Sequence, residues 1–239
     1  MSSSHPKHPR ERLIVALDVP RASEALRLAE ELSGEVGLFK VGLELFCAEG
    51  PELVKALRRH ARIFLDLKFL DIPNTVTGAL RSVLPLDPDF LTVHATGGRL
   101  MMKAVSELLH THRQQGGQTQ SLAVTVLTSF DETEWKHIGQ TQDIGTSVLS
   151  LSRLAHQSGM DGAVCSPQEA SQLRAHFGSS FCLVCPGIRP AGTDLGDQVR
   201  IADPRSALQA GADYLVVGRP ITAASHPREA ARAIVASFQ

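Results

Sequence analysis

Residues 63–73 read IFLDLKFLDIP, a short apolar run that ends in charged residues and a proline. Similar runs recur along the chain, and each is followed by a longer stretch with helical periodicity. Most of the runs are continuously apolar rather than alternating, which is typical of parallel strands that are covered by helices. The eight predicted strands are 13–17, 38–41, 63–67, 90–93, 122–127, 162–165, 181–185 and 214–217.

The segments between these runs carry the signals of helices. Gly34 follows a helical pattern as a C-terminal stop, and Pro51 suits the first turn of the next helix. Ser166-Pro167 and Asp203-Pro204 are typical helix starts before the last two strands. Repeated strand–helix units indicate a closed barrel or an open doubly wound sheet. Eight units in 239 residues favour α/β architecture as a single (β/α)8 TIM barrel.

Length and composition fit one domain without a nucleic-acid or membrane partner. We predict a disordered polar tail over residues 1–10 and a barrel domain over residues 11–239. The formal net charge is -1 and aromatic residues make up 5%, so neither a basic footprint nor a stacking platform is indicated. No apolar stretch approaches the roughly 20 residues of a membrane span. The polar N-terminus has no secretory pattern, and we expect a cytoplasmic protein.

The cysteines predict no metal centre. Cys182 and Cys185 form a C-x-x-C within an apolar run. Residues three apart on a strand point to opposite faces, so this pair is badly placed to share a metal ion. We expect buried thiols that pack as small hydrophobic groups.

Polar residues follow most of the runs, at the end of the barrel where this fold builds its active sites. Asp66 and Lys68 are two residues apart, so both should face the barrel axis near its mouth. A charged pair is costly there unless it is compensated, and an ion pair that only sets the packing is one interpretation. Lys40 and Asp71 favour a functional site, because two carboxylates and two ammonium groups exceed what packing requires.

The loops after the last two strands predict a phosphate site. Gly187 and Arg189 follow the seventh strand, and Gly218 and Arg219 follow the eighth. These loops often bind phosphate in barrels. Glycine lets backbone N–H groups approach the anion, and arginine supplies a planar charged fork.

At this point the chain resembles a known family. Residues 64–76, FLDLKFLDIPNTV, resemble the D-x-K-x-x-D-I-P-x-T signature of orotidine 5′-phosphate decarboxylases, which fixes charges and spacing together. Further similar motifs follow in order from about residue 12 onward. They are ALD at 16–18, FKVG at 39–42, TVHA at 92–95, VTVLTS at 124–129, PGIR at 186–189 and VGRPI at 217–221. One departure is Leu70, where bacterial members often carry histidine.

The resemblance implies a reaction without a metal or an organic cofactor. Orotidine 5′-monophosphate (OMP) would lose CO2 to give uridine 5′-monophosphate (UMP), the last step of pyrimidine (UMP) biosynthesis. Lys68 would protonate the carbanion at C6 within an array of Lys40, Asp66, Lys68 and Asp71, all of them catalytic residues. Flanking carboxylates should hold Lys68 charged until the carbanion develops.

The resemblance also implies the substrate contacts and a partner. Asp18 and Lys40 would bind the ribose, and Thr128 or Ser129 the pyrimidine. Asp71 and Thr75 would reach the site of a neighbouring subunit, which implies a homodimer with composite active sites. Gln198 would contact the phosphate from residues 191–199, a stretch long enough to close over substrate. The implied substrate-binding residues are Asp18, Lys40, Asp66, Lys68, Asp71, Ile72, Thr75, Thr128, Ser129, Pro186, Arg189, Gln198, Gly218 and Arg219.

Two alternatives stay open on the residues alone. A magnesium-dependent sugar-phosphate decarboxylase or aldolase on the same barrel would share the D-x-K-x-x-D spacing. It would need a further carboxylate at the end of the second strand, where this chain has Lys40. A catalytically inactive phosphate-binding barrel would have lost a member of the charged array, and all four are present.

Overall fold

Eight parallel strands close into a barrel in the computed structural model, which describes residue 6, residues 8–189, residue 200 and residues 202–238. Each strand pairs with its neighbours in the chain, and β8 pairs with β1 to close the barrel. The predicted (β/α)8 barrel is confirmed. The strands are β1 Leu13–Ala16, β2 Leu38–Gly42, β3 Arg62–Phe69, β4 Phe90–His94, β5 Gln120–Val124, β6 Gly162–Val164, β7 Cys182–Cys185 and β8 Tyr214–Val217.

Helices follow the strands and cover the outside of the barrel. Short 3-10 helices occupy Pro9–Arg12, Leu84–Leu86 and Ala95–Gly97. The α-helices are α1 Ala22–Leu32, α2 Leu43–Leu57, α3 Pro73–Val83, α4 Gly98–Gln114, α5 Glu132–His137, α6 Ile144–Gln157, α7 Pro167–Phe177, α8 Pro204–Gln209, α9 Arg219–Thr222 and α10 Pro227–Ala236.

Local sequence sets where these helices begin. The Ser166 hydroxyl accepts a hydrogen bond from the Gln168 N–H at the start of α7, and Asp203 caps α8 through the Ser206 N–H. Both predicted starts are therefore confirmed. Gly50 has a φ of 70° inside α2, so Pro51 begins a second helical segment after a kink, as its sequence position predicts.

Two layers of side chains form the core. Leu65 and Leu67 belong to the outer layer between strands and helices, while Asp66 points inward. Cys182 lies in the barrel interior and Cys185 in the outer layer, which confirms their placement on opposite faces. The interior layer consists of Ile14, Ala16, Leu38, Phe64, Phe90, Leu122, Cys182, Val184, Tyr214 and Val216.

The ends of the chain and of most strands differ in detail from the predictions, with β3 extending to Phe69, two residues beyond its predicted end. Strand β5 ends at Val124, three residues before the predicted end, because the following carbonyls accept hydrogen bonds from Arg200 instead of a neighbouring strand. Pro9 and Arg10, at the end of the predicted tail, lie in a 3-10 helix. Residues 1–5 and 7 of that tail lie outside the described residues.

Across the described ranges, no helix combines the length and the apolar character that crossing a membrane requires.

Candidate active site

A cavity of about 530 Å³ opens where the carboxyl ends of the strands meet. Strands β2 and β3 and the segments that follow β1, β5, β7 and β8 each contribute polar side chains to its wall. Ten of the fourteen residues predicted to bind substrate line it: Asp18, Lys40, Asp66, Lys68, Thr128, Ser129, Pro186, Arg189, Gly218 and Arg219.

Four charged side chains form a continuous series along one wall of the cavity. Lys68 Nζ lies 2.7 Å from Asp66 Oδ2, and Lys40 Nζ lies 3.8 Å from the same oxygen. Lys40 Nζ also donates to Asp18 Oδ1 at 2.8 Å. Asp66 and Lys40 are buried, whereas more than half of the Asp18 side chain is exposed. The charges therefore alternate from the rim of the cavity to Lys68.

Thr92 completes this wall, and the sequence analysis did not assign it a role. Its fully buried hydroxyl donates to Asp66 Oδ1 at 3.0 Å and accepts from the backbone N–H of Lys68 at 2.9 Å. One hydroxyl thus orients both members of the central ion pair. The available signal was alternation along β4, which puts Thr92 on the same inward face as Phe90.

The backbone of β3 is irregular at the site. Five residues of β3, from Leu65 to Phe69, lie opposite only three residues of β4, from Leu91 to Val93. Lys68 within this bulge has a φ of 49°, a left-handed conformation that is rare for residues other than glycine. Bulges commonly re-aim side chains next to active sites, and here Asp66 and Lys68 both reach the cavity.

Burial and charge act in opposite directions on Asp66. Burial raises the pKa of its carboxyl group, but Lys40, Lys68 and the Thr92 hydroxyl outweigh burial and leave the pKa below its ordinary value. The carboxylate is therefore ionised at neutral pH. Burial lowers the pKa of nearby His94, and the positive charge of Lys68 lowers it further.

Two arginines lie at the ends of β7 and β8. The Arg189 side chain is buried, and its backbone N–H donates to the Ala202 carbonyl at 2.9 Å. Arg219 is exposed and begins α9 directly after Gly218. Both guanidinium-bearing residues line the cavity, as the phosphate prediction requires.

The loop after β5 closes another side of the cavity. Thr128 is buried and Ser129 is exposed, and both line the cavity. Apolar Val126 and Leu127 of the same loop lie beside them. The loop thus combines polar and apolar groups, as is usual in small-molecule sites.

Three predicted site residues in the described part of the chain do not line the cavity of their own chain. Asp71, Ile72 and Thr75 are exposed beyond the end of β3. The Asp71 carboxylate accepts a hydrogen bond from the backbone N–H of Ile72 at 2.6 Å rather than contacting Lys68. One chain therefore assembles three members of the predicted four-residue array. Gln198 and residues 191–199 lie outside the described residues.

Comparison with known proteins identifies the family. The model of the Orotidine 5'-phosphate decarboxylase / HUMPS family matches residues 11–234. The chain belongs to this family. It is 50% identical over 230 residues to the orotidine 5′-phosphate decarboxylase of Halorhodospira halophila, covering 95% of each chain. It is 44% identical over 236 residues to that of Moorella thermoacetica, covering 97% of this chain and 94% of the relative.

Solved structures agree with this assignment. The crystal structure of orotidine 5′-phosphate decarboxylase from Lactobacillus acidophilus matches with a TM-score of 0.84 and 37% identity, over 95% of this chain and 98% of that one. The corresponding structure from Pyrococcus horikoshii matches with a TM-score of 0.76 and 27% identity, over 95% and 98% of the two chains. The family expectation from the sequence motifs is confirmed.

Proposed function

We propose that Lys68 is the proton donor of this enzyme and that Asp66 and Lys40 fix its charge in place. The reaction itself is the decarboxylation of OMP to UMP and CO2, which makes the enzyme a carboxy-lyase of pyrimidine biosynthesis. The observation that carries the mechanistic proposal is the 2.7 Å contact between Lys68 Nζ and the buried Asp66 carboxylate at the cavity wall.

In the proposed step, one CO2 leaves C6 of the pyrimidine and one proton takes its place. Cleavage of the bond between C6 and the carboxyl carbon releases CO2 and leaves the electron pair on C6. The Lys68 ammonium donates a proton to C6, which gives UMP, and the lysine then regains a proton from solvent. Because Asp66 and Thr92 hold this wall before substrate arrives, the positive charge is preorganised for the transition state.

The charge of the cavity suits OMP, which carries a carboxylate and a phosphate. Among the lining residues, four are cationic and two are anionic. We assign the phosphate to Arg189 and Arg219 with the backbone of Gly218, since arginine binds phosphate through paired hydrogen bonds. Lys40 and Asp18 are assigned to the ribose hydroxyls. Thr128, Ser129 and Pro186 complete the substrate site, the first two at the pyrimidine.

The exposed apolar surface supports a homodimer with composite sites. Of the six large hydrophobic side chains exposed in the described part of the chain, four follow β2, β3 and β4, which are adjacent strands. Patches of this kind mark protein interfaces. Asp71 and Thr75 are exposed beside this surface, so both are accessible to a partner chain. The four residues are Leu43 at 54% exposure, Leu70 at 53%, Ile72 at 68% and Leu100 at 76%.

We further propose that the reaction needs no metal ion. A magnesium-dependent relative would need a carboxylate at the end of β2, and Lys40 stands there with its ammonium bonded to Asp18. For location we propose the cytoplasm, because Cys47, Cys165, Cys182 and Cys185 are all free thiols, as is usual in a reducing compartment.

The test is an assay of OMP decarboxylation in the presence of EDTA, in which turnover is measured as loss of the orotate chromophore. We expect turnover by the wild type and its loss in Lys68→Ala. No turnover by folded protein without metal, with activity restored by magnesium, would overturn the metal-free proposal. Full activity of Lys68→Ala would overturn the role of Lys68.

A further inference from the structure

A buried arginine behind the cavity joins parts of the chain that are far apart in sequence. Arg200 Nη1 lies 2.5 Å from Glu169 Oε1 on α7, and both side chains are 8% exposed. Arg200 Nη2 donates to the carbonyls of Val126 at 3.0 Å and Leu127 at 3.2 Å, in the loop after β5. Arg200 itself does not line the cavity.

Arg200 and Ala202 together contact both ends of the substrate site. Leu127 directly precedes Thr128 and Ser129, the residues assigned to the pyrimidine. Two residues after Arg200, Ala202 pairs with the start of the loop that follows β7. Its carbonyl accepts from the Arg189 N–H at 2.9 Å, and its own N–H donates to Gly187 at 3.2 Å. The Arg200 side chain thus holds the base end, while the backbone of Ala202 holds the segment that carries Arg189.

Stability alone is a poor explanation for this pair. Burial raises the pKa of Glu169, and the nearby Arg200 charge does not fully offset that rise. Within the described residues, Glu169 Oε2 and Arg200 Nε have no hydrogen-bond partner. Buried ion pairs with incomplete hydrogen bonding often contribute little to stability compared with apolar residues of similar size.

We propose that Arg200 is a positioning residue that holds Thr128 and Ser129 against the pyrimidine. It acts through the carbonyls of Val126 and Leu127, and Glu169 fixes the direction of its guanidinium. The proposal rests on the proposed function, because it takes the loop after β5 as the pyrimidine end. Arg189 keeps its own backbone bonds to Ala202, so the phosphate end does not depend on the Arg200 side chain.

The test compares ligands that do and do not carry the base. Arg200→Met keeps an unbranched side chain but removes its hydrogen-bond donors. We expect its affinity for UMP to fall about tenfold, as for the loss of a hydrogen bond to the base. Its affinity for ribose 5-phosphate should change by less than about twofold. A shifted base should lower kcat/KM for OMP by about 100-fold.

Arg174 offers a matched control on the same helix as Glu169. Its guanidinium also joins a carboxylate, Asp213, to main-chain carbonyls at Gly211 and Phe181, but at the opposite end of the barrel. Arg174→Met should lower the melting temperature and leave the ratio of UMP to ribose 5-phosphate affinity unchanged. Glu169→Gln retains an acceptor for Arg200 and should keep UMP affinity near that of the wild type.

Each other outcome contradicts the positioning role. Unchanged affinity for both ligands in Arg200→Met would make the pair merely structural, and equal loss for both would indicate general loosening. If Arg200→Met does not fold, Arg200→Lys, which keeps the charge but lacks the planar fork whose two nitrogens reach Glu169 and the two carbonyls, must show the same selective loss for UMP. Failure of the wild type to decarboxylate OMP would defeat the proposed function instead.

Discussion

Lys68 contacts Asp66 at 2.7 Å from a backbone position that is left-handed, with a φ of 49°. Such a conformation costs about 1–3 kcal/mol at a residue other than glycine. The cost falls at the place where the bulge in β3 exposes the Lys68 N–H to the hydroxyl of Thr92. The strained backbone, the hydrogen bond to Thr92 and the ion pair with Asp66 therefore all involve Lys68. The strained conformation directs its side chain into the cavity.

Asp66→Asn tests how much the central carboxylate contributes. We expect the free energy of unfolding to fall by about 3 kcal/mol, because Lys40 and Lys68 lose their shared counter-ion. We also expect kcat to fall at least about 100-fold. Urea unfolding and steady-state kinetics measure the two effects. Asp18→Asn, at a mostly exposed carboxylate, should destabilise far less.

The difference in unfolding free energy between the wild type and Asp66→Asn should shrink as the pH falls. The pKa of Asp66 in the folded protein is lower than its ordinary value of 3.8. Its ionised form therefore stabilises the fold above pH 3.8, and this contribution is lost as pH falls through the folded pKa. The stability of wild type and Asp66→Asn should converge on acidification, and a gap that widened would contradict this assignment.

Thr92→Val tests the hydroxyl that orients the ion pair. The change keeps the shape of the side chain but leaves the Lys68 N–H and one Asp66 oxygen without this partner. We expect a loss of about 1–3 kcal/mol in unfolding free energy and a roughly tenfold lower kcat. Thr92→Ser retains the hydroxyl and should recover most of the activity. Equal kcat in both variants would show that this hydroxyl does not position Lys68.

Periodicity and resemblance predicted most of the barrel and its charged wall. Continuous apolar runs with charged ends placed Asp66 and Lys68 on one face, because side-chain alternation in a strand is a local property. The actual β3 is irregular between Leu65 and Phe69. Alternation therefore named the right residues, although the backbone path that brings Lys68 to the cavity is not a regular strand.

Contacts between residues far apart in the sequence were beyond such reasoning. Thr92 lies 26 positions after Asp66, and Arg200 lies 74 positions after Val126. Local patterns in one sequence do not specify such pairings, because they depend on strand register and loop path. The position of Asp71 outside its own cavity was likewise expected only from the family resemblance, since charge and spacing alone grouped it with Lys68.

Mixed dimers test whether Asp71 acts in the partner's site. Lys68→Ala and Asp71→Ala should each be nearly inactive alone. After mixing under exchange, a mixed dimer has one site with both defects and one intact site, so about a quarter of wild-type activity should return. If Asp71 instead acts on its own chain's Lys68, no intact site forms and mixing restores nothing.

Leu100→Glu on the exposed apolar surface tests the same interface independently. A charge placed in a buried apolar contact should favour monomers, which light scattering detects directly. The variant should also lose activity, since composite sites need both chains. An active monomer would contradict the composite site, and an unchanged dimer would place the interface elsewhere.

Arg219→Ala tests the phosphate assignment. Loss of a paired hydrogen bond to phosphate should raise KM for OMP at least about tenfold. The same substitution should have little effect on the slow turnover of orotidine, which lacks the phosphate. Arg219→Lys keeps the charge without the planar fork, so its KM for OMP should lie between those of the wild type and Arg219→Ala. An equal penalty on OMP and orotidine would show that Arg219 does not act on the phosphate.

The pKa of His94, on the neighbouring strand β4, depends on the charge of Lys68. Its pKa lies below the ordinary value of 6.5, because burial disfavours the charged ring and the Lys68 ammonium repels it. A depressed histidine pKa stabilises the fold above pH 6.5, and this contribution is lost as pH falls through the folded pKa. NMR titration should therefore give a value below 6.5 in the wild type and a higher one in Lys68→Met. A value that does not rise in Lys68→Met would mean that Lys68 carries no charge near His94, which would contradict the proposed proton donor.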